Sequence, residues 1–159
     1  NAAIAENITE ADLVRSQTRS EVLRRIDDQI EERIRFYASQ PKEVIDRRIA
    51  DLDREWDIER WLEANASSLA LSGLLLGLTV NRKWLLLTGT VMGFLLMHAI
   101  QGWCPPVPVM RRMGVRTRGE IDREKFALKI LRGDLQGLPT DPTQLRRNPV
   151  SQVLKVVRE

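Results

Sequence analysis

Apolar residues are concentrated in two long runs near the middle of the chain, and polar residues dominate on either side. The runs cover residues 64–80 and 84–103, and only Asn81-Arg82-Lys83 separates them. A hydrocarbon core of about 30 Å requires about 20 helical residues, so each run is close to one bilayer crossing. A connection this short forces the two helices to be adjacent and antiparallel. The pattern predicts an all-α membrane protein with an antiparallel two-helix transmembrane hairpin.

The segment before the hairpin, residues 1–63, has the pattern of amphipathic helices. Apolar positions recur at steps of three and four from Leu23 to Ile34, and again from Ile45 to Trp56. Such steps place the apolar side chains on one face of a helix, with charged side chains on the others. We therefore expect a helical cytoplasmic arm in which each helix has one packing face.

The segment after the hairpin, residues 104–133, begins with a Cys-Pro-Pro turn, because consecutive prolines cannot continue a regular helix. Thr117 and Glu120 have the spacing of a capping box, and Gly133 is a suitable helix stop. These signals predict a basic, amphipathic juxtamembrane helix between them. Residues 134–159 contain three prolines and are predicted to form an extended tail.

Charge is divided unevenly along the chain. Residues 1–63 hold 11 Lys or Arg and 16 Asp or Glu, whereas the remainder holds 14 and 6. The first segment is therefore acidic and the second basic, so the two arms can attract each other. A single Cys excludes an intrachain disulfide and a zinc site made of cysteines alone.

The flanks of the two runs predict the orientation of the hairpin. Nine arginines lie within about 20 residues of its outer ends, against two cations in the turn, so both termini should be cytoplasmic. We expect a multi-pass protein of a bacterial cytoplasmic (inner) membrane, with no cleavable signal peptide before the hairpin. Three tryptophans at the ends of the runs are predicted membrane-interface anchors. They are Trp61, Trp84 and Trp103.

Each run also contains a glycine pair at four-residue spacing, Gly73 with Gly77 and Gly89 with Gly93. On a helix, such a pair makes a flat strip that another helix can approach closely, and packing of this kind drives helix association in lipid. The pairs are candidate helix contacts, either within the hairpin or with another subunit. Other membrane subunits, self-association and membrane lipids are the expected partners.

The glycine-rich hairpin ends in Gly102-Trp103-Cys104-Pro105, and Arg116-Thr117-Arg118 and residues 120–129 follow. With these features, about residues 61–133 resemble the membrane domain of the YgaP-like inner membrane family, an uncharacterised two-helix bacterial domain that is sometimes fused to a rhodanese. The resemblance implies a membrane topology. It implies no sulfurtransferase activity, because the sequence contains no rhodanese domain.

Cys104 and His98 are the two residues whose side chains are the strongest candidates for reactivity or ligand binding. Cys104 precedes Arg111 and Arg112, and a thiol near cations can have a lowered pKa, so it is either a reactive thiol or a small turn residue. His98 is the only histidine, and an imidazole in an apolar helix requires a partner. That partner is an interhelical hydrogen bond or, less readily, a haem, chlorophyll or quinone. No resident cofactor and no metal site are expected.

Five arginines after the hairpin are expected to contact anionic lipid or an acidic partner, including the amino-terminal arm. They are Arg111, Arg112, Arg116, Arg118 and Arg123. Phosphate-binding loops, zinc motifs and catalytic triads are absent from the sequence, and nucleic-acid binding is not expected.

These observations predict a non-catalytic accessory, assembly or structural subunit of a larger bacterial membrane complex, with energy-converting complexes as one candidate class. Two alternatives remain open. The first is a homo-oligomer in which Cys104 handles sulfur, persulfide or redox equivalents. The second is a scaffold that binds anionic lipid through its basic helix.

Overall fold

The computed structural model describes residues 12–134, and all regular structure in this range is helical. The predicted all-α class is thus confirmed for these residues. The helices are α1 (Leu13–Ser16), α2 (Ser20–Ala38), α3 (Lys42–Arg54), α4 (Ile58–Thr79), α5 (Leu85–Gln101), α6 (Val107–Arg112) and α7 (Arg118–Arg132), with a 3-10 turn at Arg82–Trp84. Residues 135–159 of the predicted tail and residues 1–11 of the acidic arm lie outside the described residues.

The amino-terminal arm contains two amphipathic helices, as its periodicity predicts. In α2, Ile26 and Ile30 are buried, and α3 begins directly after Pro41. The chain then leaves helical geometry at Glu55, so Trp56 lies outside α3 and is 40% exposed. Asp57 restarts the helix, because its carboxylate accepts a hydrogen bond from the backbone N–H of Arg60 at 2.9 Å. The arm therefore meets the hairpin at a break in the helix.

Helix α7 begins and ends where its sequence signals predict. Thr117 and Glu120 form a reciprocal capping box, in which the backbone N–H of Thr117 donates to the Glu120 carboxylate at 3.0 Å. Gly133 ends the helix in the left-handed region, with φ +98°. Ile121 and Leu128 on its apolar face are fully buried, whereas Leu131 in the last turn is 43% exposed.

Helices α4 and α5 pack against each other as an antiparallel hairpin, the most extensive contact between helices in the described chain. The hydroxyl of Thr88 donates to the backbone carbonyl of Ala70 across the pair at 3.0 Å. The segment Arg82–Gln101 is 20 residues long with a mean hydropathy of 1.5, and none of it is buried within the chain.

Among the described helices, this segment is the one long and apolar enough to cross a membrane, whereas the sequence predicts two spans. Helix α4 has sufficient length, but its first two turns carry Glu59, Arg60 and Glu63, and serines follow. These residues lower its hydropathy. The structure thus shows a helical hairpin with one candidate membrane span.

One apolar cluster connects the hairpin to the arms, and a second connects the two arms to each other. The first lies at the base of the hairpin and contains Val14, Ile58, Leu62, Cys104 and Val107. The second joins α3 to α7 and contains Ile45, Ile49, Leu52, Ile121 and Leu128. Because the first cluster draws on four separate parts of the chain, it holds the hairpin against the rest of the protein.

Replacing Gly102 by Ala should destabilise the protein strongly. Gly102 has φ +69°, and a Cβ there would lie 2.5 Å from the backbone carbonyl carbon of Leu13. Left-handed strain of about 1–2 kcal/mol and overpacking of about 1–3 kcal/mol should together lower the free energy of unfolding. Urea unfolding in detergent, followed by far-ultraviolet circular dichroism, measures the change.

Gly114→Ala is the matched control, because Gly114 has φ +87° but open space around its Cα. We expect it to show the strain alone, about 1–2 kcal/mol. Equal losses for the two variants would show that the close approach of Gly102 to Leu13 contributes nothing.

Candidate functional site

Two carboxylates on α7 are completely buried at the base of the hairpin. Glu120 and Glu124 are four residues apart and therefore lie on the same face of the helix, beside the buried Ile121 and Leu128. An ionised carboxylate cannot be removed from water unless cations and hydrogen-bond donors meet it. Arginines from most of the described elements provide these donors.

Glu120 is held by two arginines from opposite sides. Arg111 of α6 forms a two-pronged pair with it, at 2.7 Å and 2.6 Å, and Arg15 of α1 donates to it at 2.7 Å. Arg111 is itself only 1% exposed and donates further to the Thr18 hydroxyl at 3.0 Å and to the Val115 carbonyl at 3.0 Å. Glu120 therefore joins both arms next to the hairpin.

Glu124 is held by three arginines. Arg48 of α3 donates from Nε at 2.9 Å and from Nη2 at 2.8 Å, Arg33 of α2 donates at 3.0 Å, and Arg116 completes the set. Arg116 also forms a two-pronged pair with Glu55, in the connection between α3 and α4. We call Glu120, Glu124 and their arginines the buried ion cluster.

The arginines determine the charge state of both carboxyls. Burial alone raises the pKa of Glu120, but hydrogen bonds and charge from Arg111 outweigh it and hold the pKa below its usual range. Burial likewise acts against the ionised form of Glu124, and Arg48 and Arg116 lower its pKa. Both groups are therefore ionised at neutral pH.

The polarity of the buried ion cluster is the reverse of the net charge of the arms. The basic carboxyl-terminal arm supplies the buried carboxylates, and the acidic amino-terminal arm supplies Arg15, Arg33 and Arg48. The pair of Arg116 with Glu55 has the polarity expected from net charge, and so do three pairs at the solvent-exposed edge. These are Arg123 with Asp27, Lys125 with Asp53 and Arg132 with Asp46.

The five arginines predicted to contact lipid or an acidic partner thus fall into different environments. Arg111 and Arg116 are buried against glutamates, so they are not available to lipid. Arg123 is partly exposed and pairs with Asp27 of the amino-terminal arm, and Arg118 pairs with Asp122 of its own helix at 3.1 Å. Arg112 is exposed. For Arg111 and Arg116, burial leaves the acidic-partner alternative, because Arg116 pairs with Glu55 of the amino-terminal arm and Arg111 pairs with Glu120 of its own arm.

The two glycine pairs of the hairpin are in different environments. A Cβ on Gly73 would lie 2.7 Å from the Thr88 hydroxyl, and one on Gly77 would lie 2.6 Å from the Leu85 side chain. The first pair therefore serves the contact between α4 and α5. A Cβ on Gly89 or Gly93 would meet nothing within 4 Å in the described chain. That strip faces away from the hairpin's own partner helix.

The three predicted anchor tryptophans are partly exposed at the ends of the hairpin. Trp61 is 43% exposed and lies with Trp103, which is 37% exposed, at the end next to the arms. Trp84, also 43% exposed, lies at the far end in the 3-10 turn. The ring of Trp61 lies 5.1 Å from that of Trp56, and the guanidinium of Arg60 stacks on Trp56 at 4.5 Å.

Cys104 is buried in the apolar cluster at the base of the hairpin, with 6% of its surface exposed. Burial raises the pKa of its thiol, which is the opposite of the lowered value expected from nearby arginines. Arg111, one of the arginines expected to lower this pKa, is paired with Glu120. Cys104 therefore packs as a small apolar residue, and the hypothesis of a reactive thiolate loses its physical basis.

His98 lies in the last turn of α5 and is partly buried. Its Nδ1 atom is fully buried and makes no hydrogen bond to any described residue, so the expected interhelical bond from this atom is not found. Among the described residues, no group of three or more His, Cys, Asp or Glu side chains is arranged to hold a metal ion.

The buried carboxylates are the site residues that sequence reasoning missed. Their positions carry a signal, because Glu120, Ile121, Glu124 and Leu128 share one face of α7, so the two acids lie on the apolar side of the helix. Acids on an apolar face indicate buried ion pairs. The arginines that meet them lie up to 105 residues away, and no local pattern identifies them.

Comparison of the chain with protein-family models, curated proteins and solved structures finds no match. The resemblance to the YgaP-like membrane domain therefore stays a prediction. The geometry of the hairpin and of the buried ion cluster carries the functional argument.

Replacing Glu120 by Gln should loosen the packing of α7. The variant keeps the size of the side chain but leaves Arg111 and Arg15 without their shared counter-charge, and breaking a buried pair costs about 3–5 kcal/mol. Amide hydrogen exchange of residues 118–132, in the full chain in detergent, reports the loss as faster exchange. Glu31→Gln is the control, because Glu31 pairs with Arg35 on the exposed face of α2. It should cost at most about 0.5 kcal/mol, and an equal effect of both changes would contradict a special role for Glu120.

Acid should weaken the fold through the same two carboxyls. The pKa values of Glu120 and Glu124 are lower in the folded state than in the unfolded state. Their contribution to the free energy of unfolding is therefore complete above the unfolded pKa of about 4.3 and is lost as the pH falls through the folded pKa values. Glu59 acts in the opposite direction, since burial raises its pKa and its contribution is lost as the pH rises above about 4.3. Urea midpoints of the double variant Glu59→Gln/Asp134→Asn are measured from pH 7 to pH 3, because Asp134, whose pKa its pair with Arg132 lowers, would otherwise lose stability in acid together with Glu120 and Glu124. A midpoint that stays constant down to pH 3 would refute the prediction.

Proposed function

We propose that this chain is a small integral membrane protein that acts as a non-catalytic accessory or assembly subunit of a larger bacterial membrane complex. In this arrangement the hairpin formed by α4 and α5 is inserted in the membrane, with the turn at Arg82–Trp84 on the far side. Both arms remain on the cytoplasmic face. The observation that carries the proposal is the uncovered glycine strip of α5.

Insertion of the whole hairpin is supported by the way α4 satisfies its polar side chains. The hydroxyls of Ser67, Ser68 and Ser72 donate to backbone carbonyls one turn earlier in their own helix, at 2.6, 2.7 and 2.8 Å. Hydroxyls bonded in this way do not require water, so they are tolerated in lipid. The large apolar side chains of α4 between Leu69 and Leu78 are mostly exposed, which suits a lipid or protein environment better than water.

The uncovered glycine strip of α5 favours a protein partner over lipid. Gly73 and Gly77 are already used inside the hairpin, whereas the surface at Gly89 and Gly93 has open space within 4 Å in the described chain. Lipid tails fill a flat glycine surface less well than a second helix does, because close backbone approach gains van der Waals contact. We therefore assign this strip to contact with a helix of the host complex.

The cytoplasmic arms provide a rigid support for the docked hairpin. The backbone N–H of Ile58, at the start of α4, donates to the carbonyl of Arg116 at 3.0 Å, and Arg116 belongs to the buried ion cluster. The base of the hairpin is thereby joined to α7 and to both helices of the amino-terminal arm. A rigid base orients the glycine strip relative to the surface of the membrane.

Isolation from native membranes tests the proposal. The tagged full-length chain is solubilised in a mild detergent, resolved on a blue-native gel and identified by mass spectrometry together with its co-migrating subunits. We expect a stoichiometric set of larger membrane proteins with the native chain, and at least about a tenfold loss of them with Gly93→Leu. A band that contains this chain alone would overturn the accessory role.

Two control variants identify the cause of any loss of co-migrating subunits. Phe94→Trp adds bulk to an exposed position that is 100° or more around the helix from both glycines of the strip, so co-migration should persist. Gly73→Leu disrupts the hairpin itself, because the side chain would collide with Thr88. It should lower the yield of folded protein, whereas Gly93→Leu should leave the yield unchanged.

A further inference from the structure

A cleft of about 640 Å³ opens at the base of the hairpin, between α4, the end of α5 and the start of α7. Most of its wall area is apolar, with Leu13, Val14, Leu95 and Ala99 among the lining residues, and six of its lining residues have polar or charged side chains. Both the size and this composition are typical of a small-molecule site. No residue of the buried ion cluster and neither glycine of the strip at Gly89 and Gly93 lines the cleft.

Two buried polar atoms at this cleft make no hydrogen bond within the described chain. They are Oε2 of Glu59 and Nδ1 of His98, on residues that line the cleft from α4 and α5. An ionised carboxylate oxygen is an acceptor, and the imidazole nitrogen accepts in one of its neutral tautomers. Leaving such atoms buried and unpaired is costly, so the cleft is complementary to a ligand that brings N–H donors.

The charges around the cleft favour a cation. Glu59, Glu63 and Asp12 line it, whereas its one basic side chain, Arg118, already pairs with Asp122 at 3.1 Å. Asp12 is already used, because its carboxylate accepts hydrogen bonds from the backbone N–H of Arg15 and from the Thr117 hydroxyl. Burial raises the pKa of Glu59, and the carboxylates of Asp57 and Asp12 raise it further, whereas a backbone hydrogen bond and the charge of Arg111, which pairs with Glu120, lower it.

We infer that the cleft binds a primary ammonium group, held by Glu59 and His98, whose attached chain lies along Leu95 and Ala99. The position at the cytoplasmic end of the hairpin makes the amine headgroup of a phosphatidylethanolamine the membrane source of this chemistry. A water-soluble amine can supply the same ammonium group. The inference adds a ligand site to the proposed accessory role and does not require a host complex.

Lipid competition measured by native mass spectrometry tests this inference. The full-length chain in detergent receives equal amounts of dioleoyl phosphatidylethanolamine and dioleoyl phosphatidylcholine, which differ in headgroup only by three N-methyl groups. The ethanolamine ammonium has three N–H donors and the choline has none. We expect at least about tenfold preferential retention of the ethanolamine lipid, the factor that one charge-assisted hydrogen bond provides.

Three variants separate the cleft from general lipid binding. Glu59→Gln removes the charge at nearly constant volume, and Ala99→Leu fills the cleft without changing a charge. Each should reduce the preference to less than about threefold. Glu31→Gln makes the same chemical change as Glu59→Gln on the exposed face of α2, and it should keep the full preference. Circular dichroism verifies that the helix content of each variant is unchanged.

Further measurements identify the source of the amine and the results that would overturn the inference. If glycerophosphoethanolamine, which has no acyl chains, displaces the lipid at equal concentration, the cleft binds the free amine. If it does not, the cleft binds the lipid. Equal retention of the ethanolamine and choline lipids, or a preference that survives both Glu59→Gln and Ala99→Leu, would overturn the inference. Stronger retention of dioleoyl phosphatidylglycerol would do the same, because it would show an anion site.

Discussion

The described part of this protein depends on the burial of two negative charges on one helix. Glu120 and Glu124 are completely inaccessible to water, so arginines from α1, α2, α3, α6 and the segment before α7 must converge on them. Buried ion pairs add little stability over apolar packing, but a buried charge left unpaired lowers the free energy of unfolding by about 3–5 kcal/mol. Packings of the arms that bury these carboxylates without their arginines are therefore disfavoured.

This arrangement also determines how the hairpin is attached. Arg116 accepts a backbone hydrogen bond from Ile58 through its carbonyl while its guanidinium joins Glu55 to Glu124, so α4 starts at a fixed point on the ion cluster. On the other side, Gly102 allows the end of α5 to approach the backbone of Leu13. The hairpin is thereby attached to the arms at both of its helices. Its far end and the outer faces of α5 have no comparable contacts in the described chain.

The proposed role and the inferred amine site use different parts of this architecture. The glycine strip lies on the uncovered side of α5, where a partner helix gains contact through close packing. The cleft lies at the base, where polar atoms from two hairpin helices remain unpaired beside apolar walls. A lipid held in the cleft would lie against the hairpin at the same level as Trp61 and Trp103. The burial of Cys104 removes the argument for thiol chemistry at this level of the protein.

The sequence by itself determined the local features. These are the helical class, the amphipathic arms, the hairpin turn, the capping box at Thr117 and the stop at Gly133, because each depends on residues within a few positions of one another. Only the tertiary structure decided which glycine pair is used internally, which arginines are buried, and that the buried pairs run against the net charge of the arms. The net charge of an arm is a sum over all its charged side chains and is independent of their positions. Which individual side chains are buried depends on how the helices pack. The arginine partners of Glu120 and Glu124 lie between 8 and 105 residues away, and such contacts exist only once the helices have packed.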